Sequence, residues 1–402
     1  MRKLSFISKR LARGILAALV VAAPVAQADF IGDAKTNLTL RNFYFNRDFT
    51  DSTKKEFESW SQAALLRFTS GYTEGVVGFG MDVNAFGAVK LSGDFDQAGN
   101  LPTDGAGKPV NDYSRAGATL KIRYSNTELK AGVLEPTYPV ISRDASRVLP
   151  QTFEGAQIQI NELEGISFTV GYVNKTSYRA FNNRQKIIQA GNESDGLSFL
   201  GADFTWSDNW SSSYWAARLE DIYDQHYLGT TFSQHLNDDL QLFGNLSIFD
   251  TQDSGDKKAG AIDNRAYGLR VGAAYNGHKF SMTYQKQTGD HGYPLIANFT
   301  PQPYLVNWST NQGFWNKDEK SVQARYDFDF KAIGIPGLTW MSRYTRGSYA
   351  NNKEWERDID IGYTLQQGPL KDLSLMLRTV STRVPGNGWE ELRFVTVYPF
   401  NF

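Results

Sequence analysis

From Glu391 to Phe402 the side chains alternate between two characters. Leu392, Phe394, Thr396, Tyr398, Phe400 and Phe402 share one parity, and Glu391, Arg393, Val395 and Val397 the other. Successive side chains of a strand point to opposite faces, so the segment predicts a β-strand with one greasy, aromatic face and one ionic face. The same two-residue period returns about every twenty residues. Leu200, Ala202, Phe204 and Trp206 oppose Gly201, Asp203 and Thr205. Val322, Ala324, Tyr326, Phe328 and Phe330 oppose Ser321, Gln323, Arg325, Asp327 and Asp329. Ile359, Ile361, Tyr363 and Leu365 oppose Asp358, Asp360 and Gly362, while Leu373, Leu375 and Leu377 oppose Ser374, Met376 and Arg378. Comparable segments lie near 36–45, 61–70, 117–124, 127–134, 156–161, 166–173, 213–219, 240–249, 267–275 and 279–286. No helical period of useful length interrupts them.

The joints alternate too. Those at 161–165, 207–209, 237–239 and 276–278 are tight, whereas 93–112, 175–195, 251–264 and 288–320 are long and polar. An amphipathic edge strand of a soluble protein would explain one such segment, but not the series. Short turns at one end, long loops at the other and an aromatic terminal strand predict a transmembrane β-barrel, turns toward the periplasm and loops outside. Only a closed barrel works in hydrocarbon, where an open sheet edge leaves backbone groups unpaired. Spanning strands need roughly ten residues each. Both sixteen and eighteen strands fit the chain length, so the arithmetic leaves the number open.

The N-terminus adds a destination. Arg2, Lys3, Lys9, Arg10 and Arg13 precede a short apolar run at 14–25 and the small-x-small site Ala26-Gln27-Ala28. Residues 1–28 therefore read as a cleaved secretory signal peptide, and 29–402 as a single barrel domain. Removing the signal shifts the net charge from −1 to about −6, with 37 bases against 43 acids, which gives no reason to expect a nucleic-acid partner. There is no cysteine, hence neither a disulfide framework nor a Cys-ligated metal, and no metal or cofactor is implied. Aromatics reach 14% although the average hydropathy is polar, a mixture that suits a wet lumen inside an apolar belt.

Several quoted stretches together resemble the OprD-type substrate-specific porins of Gram-negative outer membranes. They are Arg41-Asn-Phe-Tyr-Phe-Asn-Arg47-Asp48, Asp112-Tyr-Ser-Arg-Ala-Gly117, Arg147-Val-Leu-Pro-Gln-Thr-Phe-Glu-Gly155, Leu219-Glu-Asp-Ile-Tyr223, Glu319-Lys-Ser-Val-Gln-Ala-Arg-Tyr-Asp327, Gly334-Ile-Pro-Gly-Leu-Thr-Trp-Met-Ser-Arg-Tyr344 and Gln367-Gly-Pro-Leu-Lys-Asp-Leu-Ser374. The resemblance covers essentially the whole mature chain. It implies an eighteen-stranded antiparallel barrel with a pore in each monomer, a third extracellular loop folded inward, a ladder of basic residues along the lumen, and passive movement of small carboxylate-bearing solutes. A weak homotrimer is the oligomer left open.

Site residues follow from both lines. Alternation turns Arg378 and Arg393 inward, where the family's ladder also has bases, and adds Arg67, Arg325 and Arg343. The resemblance places Arg47 in the ladder and Arg147 in the inward loop. A guanidinium stays charged and grips a carboxylate with two parallel bonds, so a row of them makes a shallow slide for anions. Each could equally serve a salt bridge to a wall carboxylate. Two departures narrow the substrate. Gly362 and Met376 stand where basic-amino-acid channels of the family carry further bases. The segment 291–316 holds no Asp or Glu, but Tyr293, Phe299, Tyr304, Trp308, Phe314 and Trp315. Without acids there a cationic solute lacks its partner, although Asp144 could compensate. The expected cargo is a small carboxylate with a cyclic or aromatic body, with outer-membrane lipid as the surroundings. A basic-amino-acid or peptide channel and an unselective diffusion pore are the alternatives.

Enzymatic barrels need a nucleophile or carboxylate set beside histidine. The four histidines, His226, His235, His278 and His291, form no such motif, and Asp224 with His226 is the nearest pairing. An energy-coupled receptor needs a plug domain ahead of the barrel, for which a first strand near 36 leaves no room.

Overall fold

The computed structural model describes residues 27–402 apart from 52, 96–98 and 297–299. The expected signal peptide lies outside the described residues except for its last two positions, which open a short helix, Gln27–Gly32. Phe299 of the aromatic segment also lies outside them.

Eighteen strands build the wall. They are β1 Lys35–Phe49, β2 Phe57–Thr69, β3 Val77–Ser92, β4 Asp112–Tyr124, β5 Thr127–Leu134, β6 Thr152–Leu163, β7 Ile166–Ser177, β8 Leu197–Ser207, β9 Trp210–Leu219, β10 Tyr223–His235, β11 Leu240–Asp253, β12 Asp263–Tyr275, β13 His278–Thr288, β14 Lys320–Asp329, β15 Leu338–Tyr349, β16 Asn352–Thr364, β17 Ser374–Val384 and β18 Asn387–Asn401. Each pairs antiparallel with its neighbour, and β18 returns to β1 from Asn37↔Asn401 to Phe49↔Trp389. This closure leaves no edge in the bilayer. Two short hairpins accompany the wall: Gln185–Gln189 with Asn192–Ser194 extends the sheet by pairing with the end of β7, and Thr137–Tyr138 with Ile141–Ser142 after β5 forms a separate two-stranded sheet. No described helix is long and apolar enough to cross a membrane.

The tight joints fall at one end and the long ones at the other, as their composition predicts. At the β12–β13 turn Asn276 and Gly277 have φ of 45° and 82°, the two left-handed residues that a two-residue hairpin requires. The long segments 93–111, 178–196, 254–262 and 289–319 all lie at the opposite end.

Burial is inverted relative to a water-soluble protein. Phe280 and Met282 are 59% and 58% exposed, with Val170, Leu200, Leu269, Val271 and Val322 similarly bare. Their alternates Ser281, Thr283, Gln285, Ser321 and Gln323 are buried. The registers predicted for β14, β16, β17 and β18 are those observed: Leu377, Leu392 and Phe394 face outward, and Asp358, Glu391 and Arg393 inward. A one-residue slip would carry ions into lipid, which fixes each register.

Candidate functional site

Inside the barrel five of the seven predicted arginines fall on two adjacent rows of the β-ladder, while Arg67 on β2 lies away from them, opposite Asn37 and Asn84, and Arg147 lies in the segment between β5 and β6. One row runs Phe45, Arg393, Arg378, Asp360, Met341, Asp327 and Lys279 from β1 to β13. The other runs Arg47, Glu391, Val380, Asp358, Arg343 and Arg325. Rows two residues apart along the same strands share a face. Arg378, Arg393, Arg343 and Arg325 are thereby gathered on a strip of inner wall from β14 to β18, with Arg47 beside them on β1. Gly362 and Met376 are direct partners next to the strip, where neither supplies a base.

Each of the predicted wall arginines has a carboxylate partner. Arg378 grips Asp360 with Nε at 2.6 Å and Nη2 at 2.5 Å, and Arg325 grips Asp327 at 2.8 and 2.6 Å. Arg343 Nε donates to Asp358 at 2.8 Å, and Arg67 clasps Glu135 through two bonds of 3.0 Å. Glu391 takes Arg47 Nε on Oε1 at 2.7 Å and Arg393 Nε on Oε2 at 3.0 Å. What separates these pairs is access. The Arg393 side chain is 3% exposed and that of Arg325 is 37% exposed. Arg67 and Arg378 lie between. Arg393, Arg147 and Arg47 also stand 5.2, 5.3 and 5.6 Å from the centre of the fully buried Phe45 ring, whose π face favours cations.

Asp144 is buried, paired with Arg179, and accepts the Ser146 amide at 2.8 Å. Arg147 is buried in the same loop, with Nη1 donating to Ser146 O at 3.0 Å. Segment 135–151 is fastened to inward-facing side chains of the wall. Arg41 donates to Arg147 O at 2.8 Å, Arg115 to Pro150 O, and Gln157 to the Tyr138 hydroxyl at 2.9 Å, while the Tyr138 ring stacks on Trp215 at 4.5 Å.

Segment 289–319 engages the inner wall more extensively than its composition announced. Ser247 Oγ donates to Tyr304 O at 2.7 Å, Arg270 to Val306 O at 3.0 Å, Gln285 to Gly313 O at 2.8 Å and Arg343 to Trp308 O at 3.1 Å. The two segments also touch. Gln302 donates to Pro139 O at 2.9 Å, Tyr304 to Thr137 O at 2.6 Å, and Thr300 to Gln151 at 3.2 Å. Trp308 and Trp315 stack at 5.2 Å, whereas Tyr293 and Phe314 are buried as packing residues.

The tip of this segment reaches the arginine cluster. Asn311 Oδ1 accepts from both Arg47 Nη2 and Arg393 Nη2 at 3.2 Å, its Nδ2 donates to Glu391 at 2.9 Å, and its amide donates to Glu356 at 2.9 Å. Nothing in its local sequence marks Asn311. Arg41, Arg115 and Arg270 were also not singled out, although their parity turns them inward. Among the described residues these three hold backbone carbonyls and form no ion pair. Arg270, Lys279 and Arg325 border a polar cavity of about 720 Å³ beside Tyr304. His226 lies on the outer face beside the Tyr214 hydroxyl at 2.8 Å, and Asp224 is taken by Arg218.

A closed antiparallel barrel with a greasy exterior and an ion-lined interior is an outer-membrane pore. The comparisons give the particular family: residues 28–402 match the profile of "outer membrane porin, OprD family", and the chain belongs to that family. It is 37% identical to the porin-like protein GalP of Pseudomonas putida, over 92% of this chain and 93% of that one. A BenF-like porin from Pseudomonas fluorescens superposes with a TM-score of 0.90 at 37% identity, covering 93% and 100% of the two chains. Pseudomonas aeruginosa OpdK, crystallised with vanillate, gives 0.88 at 36% identity with the same coverage. The protein is thus a passive, substrate-specific channel of the outer membrane and not an enzyme.

Proposed function

We propose that this porin takes up small carboxylate-bearing solutes with a cyclic or aromatic body, guided by the lumen arginines. The observation that carries the reading is Asn311. Its side-chain oxygen sits between two guanidiniums, in the place a carboxylate oxygen of a passing solute would take. Arg378, Arg325 and Arg67 are the accessible bases on either side of that seat. Their wall carboxylates keep each grip shallow, so a solute is handed on and not trapped. Segments 135–151 and 289–319 together narrow the passage, and the stacked Trp308–Trp315 pair offers a flat apolar surface to a ring. No carboxylate of 291–316 awaits a cationic group. Vanillate, with which OpdK was crystallised, is an aromatic carboxylate and fits the same description. Export through a signal peptide cleaved after Ala28 belongs to this reading.

Liposome swelling with matched solutes tests it. Benzoate-like acids should enter faster than arginine, and the advantage should shrink in Arg378→Ala. Faster uptake of arginine would overturn the proposal, and equal uptake of neutral sugars would favour an unselective pore.

A further inference from the structure

We propose that the bilayer-facing wall between β10 and β16 carries a binding site for a phosphate-bearing lipid of the outer leaflet. Two independent features of the outer surface meet there.

The first is an excess of unpartnered cations. Lys286 and Lys320 are direct cross-strand partners on the outward face. Lys320 continues through Ser348 to Lys353, and Arg346 and Arg357 occupy outward positions of β15 and β16 just below. Like charges set directly opposite each other destabilise a sheet. Elsewhere on the outer wall such cations are neutralised, Arg218 by Asp224, Arg265 by Asp250 and Arg383 by Glu390. Among the described residues Lys286, Lys320, Arg346, Lys353 and Arg357 form no ion pair, and Arg357 donates only to Ser381 Oγ at 2.9 Å. The cluster lies at the long-loop end: Lys320 opens β14, and Lys353 is the second residue of β16. That is the headgroup level of the extracellular leaflet, marked by the exposed rings of Tyr267, Tyr284 and Tyr344.

The second feature is an apolar groove of about 920 Å³ that ends at this rim. Its floor is one row of the ladder. From Phe232 the row passes through Gly244, Val271, Met282 and Ala324 to Tyr344 and Arg357. The missing side chain of Gly244 and the single methyl of Ala324 make the depression between the bulkier rows on either side. Six interstrand steps of about 4.8 Å give it a length near 29 Å. It climbs from the turn end at Phe232 toward the loop end at Arg357, so a chain lying in its upper part would bring its headgroup under the basic rim. Clustered Lys and Arg grip phosphate oxygens strongly, and a soluble anion would have no use for the groove.

Purified barrel in neutral detergent, titrated with bis-phosphorylated lipid A and followed by native mass spectrometry, tests the site. A saturable one-to-one adduct is expected. The K320Q/R346Q/R357Q variant should weaken it by roughly two orders of magnitude, at about a factor of five per cation near a phosphate-bearing surface. Ala324→Trp, which fills the groove and leaves the charges alone, should also weaken it, and solute conductance should stay unchanged in both variants because the site faces lipid. Equal binding of dephosphorylated lipid A, or wild-type binding by the triple variant, would overturn the proposal. So would displacement of the adduct by inorganic phosphate, which would assign the rim to a soluble anion.

Discussion

Arg393 and Arg325 share a chemistry and a face, yet their environments give them different work. Arg393 is enclosed with Glu391, Asn311 and the Phe45 ring. Removing it strands a buried carboxylate with Arg47 and Asn311, and breaking such a pair costs about 3–5 kcal/mol. Arg393→Ala is therefore expected to lower the thermal midpoint of the purified barrel clearly. Arg325 is open to the lumen water and paired with Asp327, and an exposed pair contributes only about 0.2–1 kcal/mol. Arg325→Gln should leave the midpoint nearly unchanged while shifting the reversal potential in a salt gradient toward cations. Asn311→Ala probes the seat between the guanidiniums. It should raise the entry rate of benzoate several-fold, as the solute no longer displaces an internal competitor. An unchanged rate would remove Asn311 from the account.

At the scale of the element, the segment after β13 is held by wall side chains reaching for its carbonyls and by Tyr293 and Leu305 packed against wall residues such as Tyr227 and Phe249. Replacing 303–313 with a Gly/Ser linker of equal length keeps the span and removes the shape that those donors recognise. Single-channel conductance should rise and discrimination among acids should fall. The foot of the segment is fixed by Glu319, which accepts from the Asn316 amide at 3.0 Å and its side chain at 2.9 Å, while the same side chain reaches Glu354 at 3.4 Å. Burial pushes the Glu319 carboxyl above the ordinary glutamate range. A raised folded-state value favours the protonated form, so the stability that this buried carboxyl lends the foot of the segment is fully present below about pH 4.3, the unfolded value, and is lost as pH rises through the raised one. Open-channel noise should grow with pH over that window, and Glu319→Gln should abolish the trend.

Across the whole molecule, the bilayer replaces the hydrophobic core as the sink for apolar side chains. Leu377 on β17 faces lipid between Ile361 and Phe394. Leu377→Arg should be destabilising, by at most about 2–4 kcal/mol, the cost of a lipid-facing cation at the midplane. Urea unfolding in vesicles measures this directly. Met376→Arg, one residue away on the inner face, should be tolerated and should increase anion preference. The contrast between adjacent positions is a property of the closed tube and of no smaller unit.

The wall was legible in the chain because a two-residue period is a local signal: Leu392, Phe394 and Arg393 declare their faces without reference to distant residues. The long and short joints likewise named the two ends of the barrel. Strand number was not readable from period and length, since loop length can absorb two strands either way; the family resemblance implied eighteen, and the pairing of β18 with β1 closes the barrel at that number. Parity could say that Arg378 and Arg325 turn inward, but not that each meets a carboxylate or how much water reaches it. Asn311 had no signal at all. Its role depends on a thirty-one-residue segment, 289–319, crossing from one side of the wall to Arg47 and Arg393 on strands joined only by closure. Which faces meet lipid is set by neighbours two residues apart, whereas what fills the lumen is set by contacts between residues hundreds of positions apart.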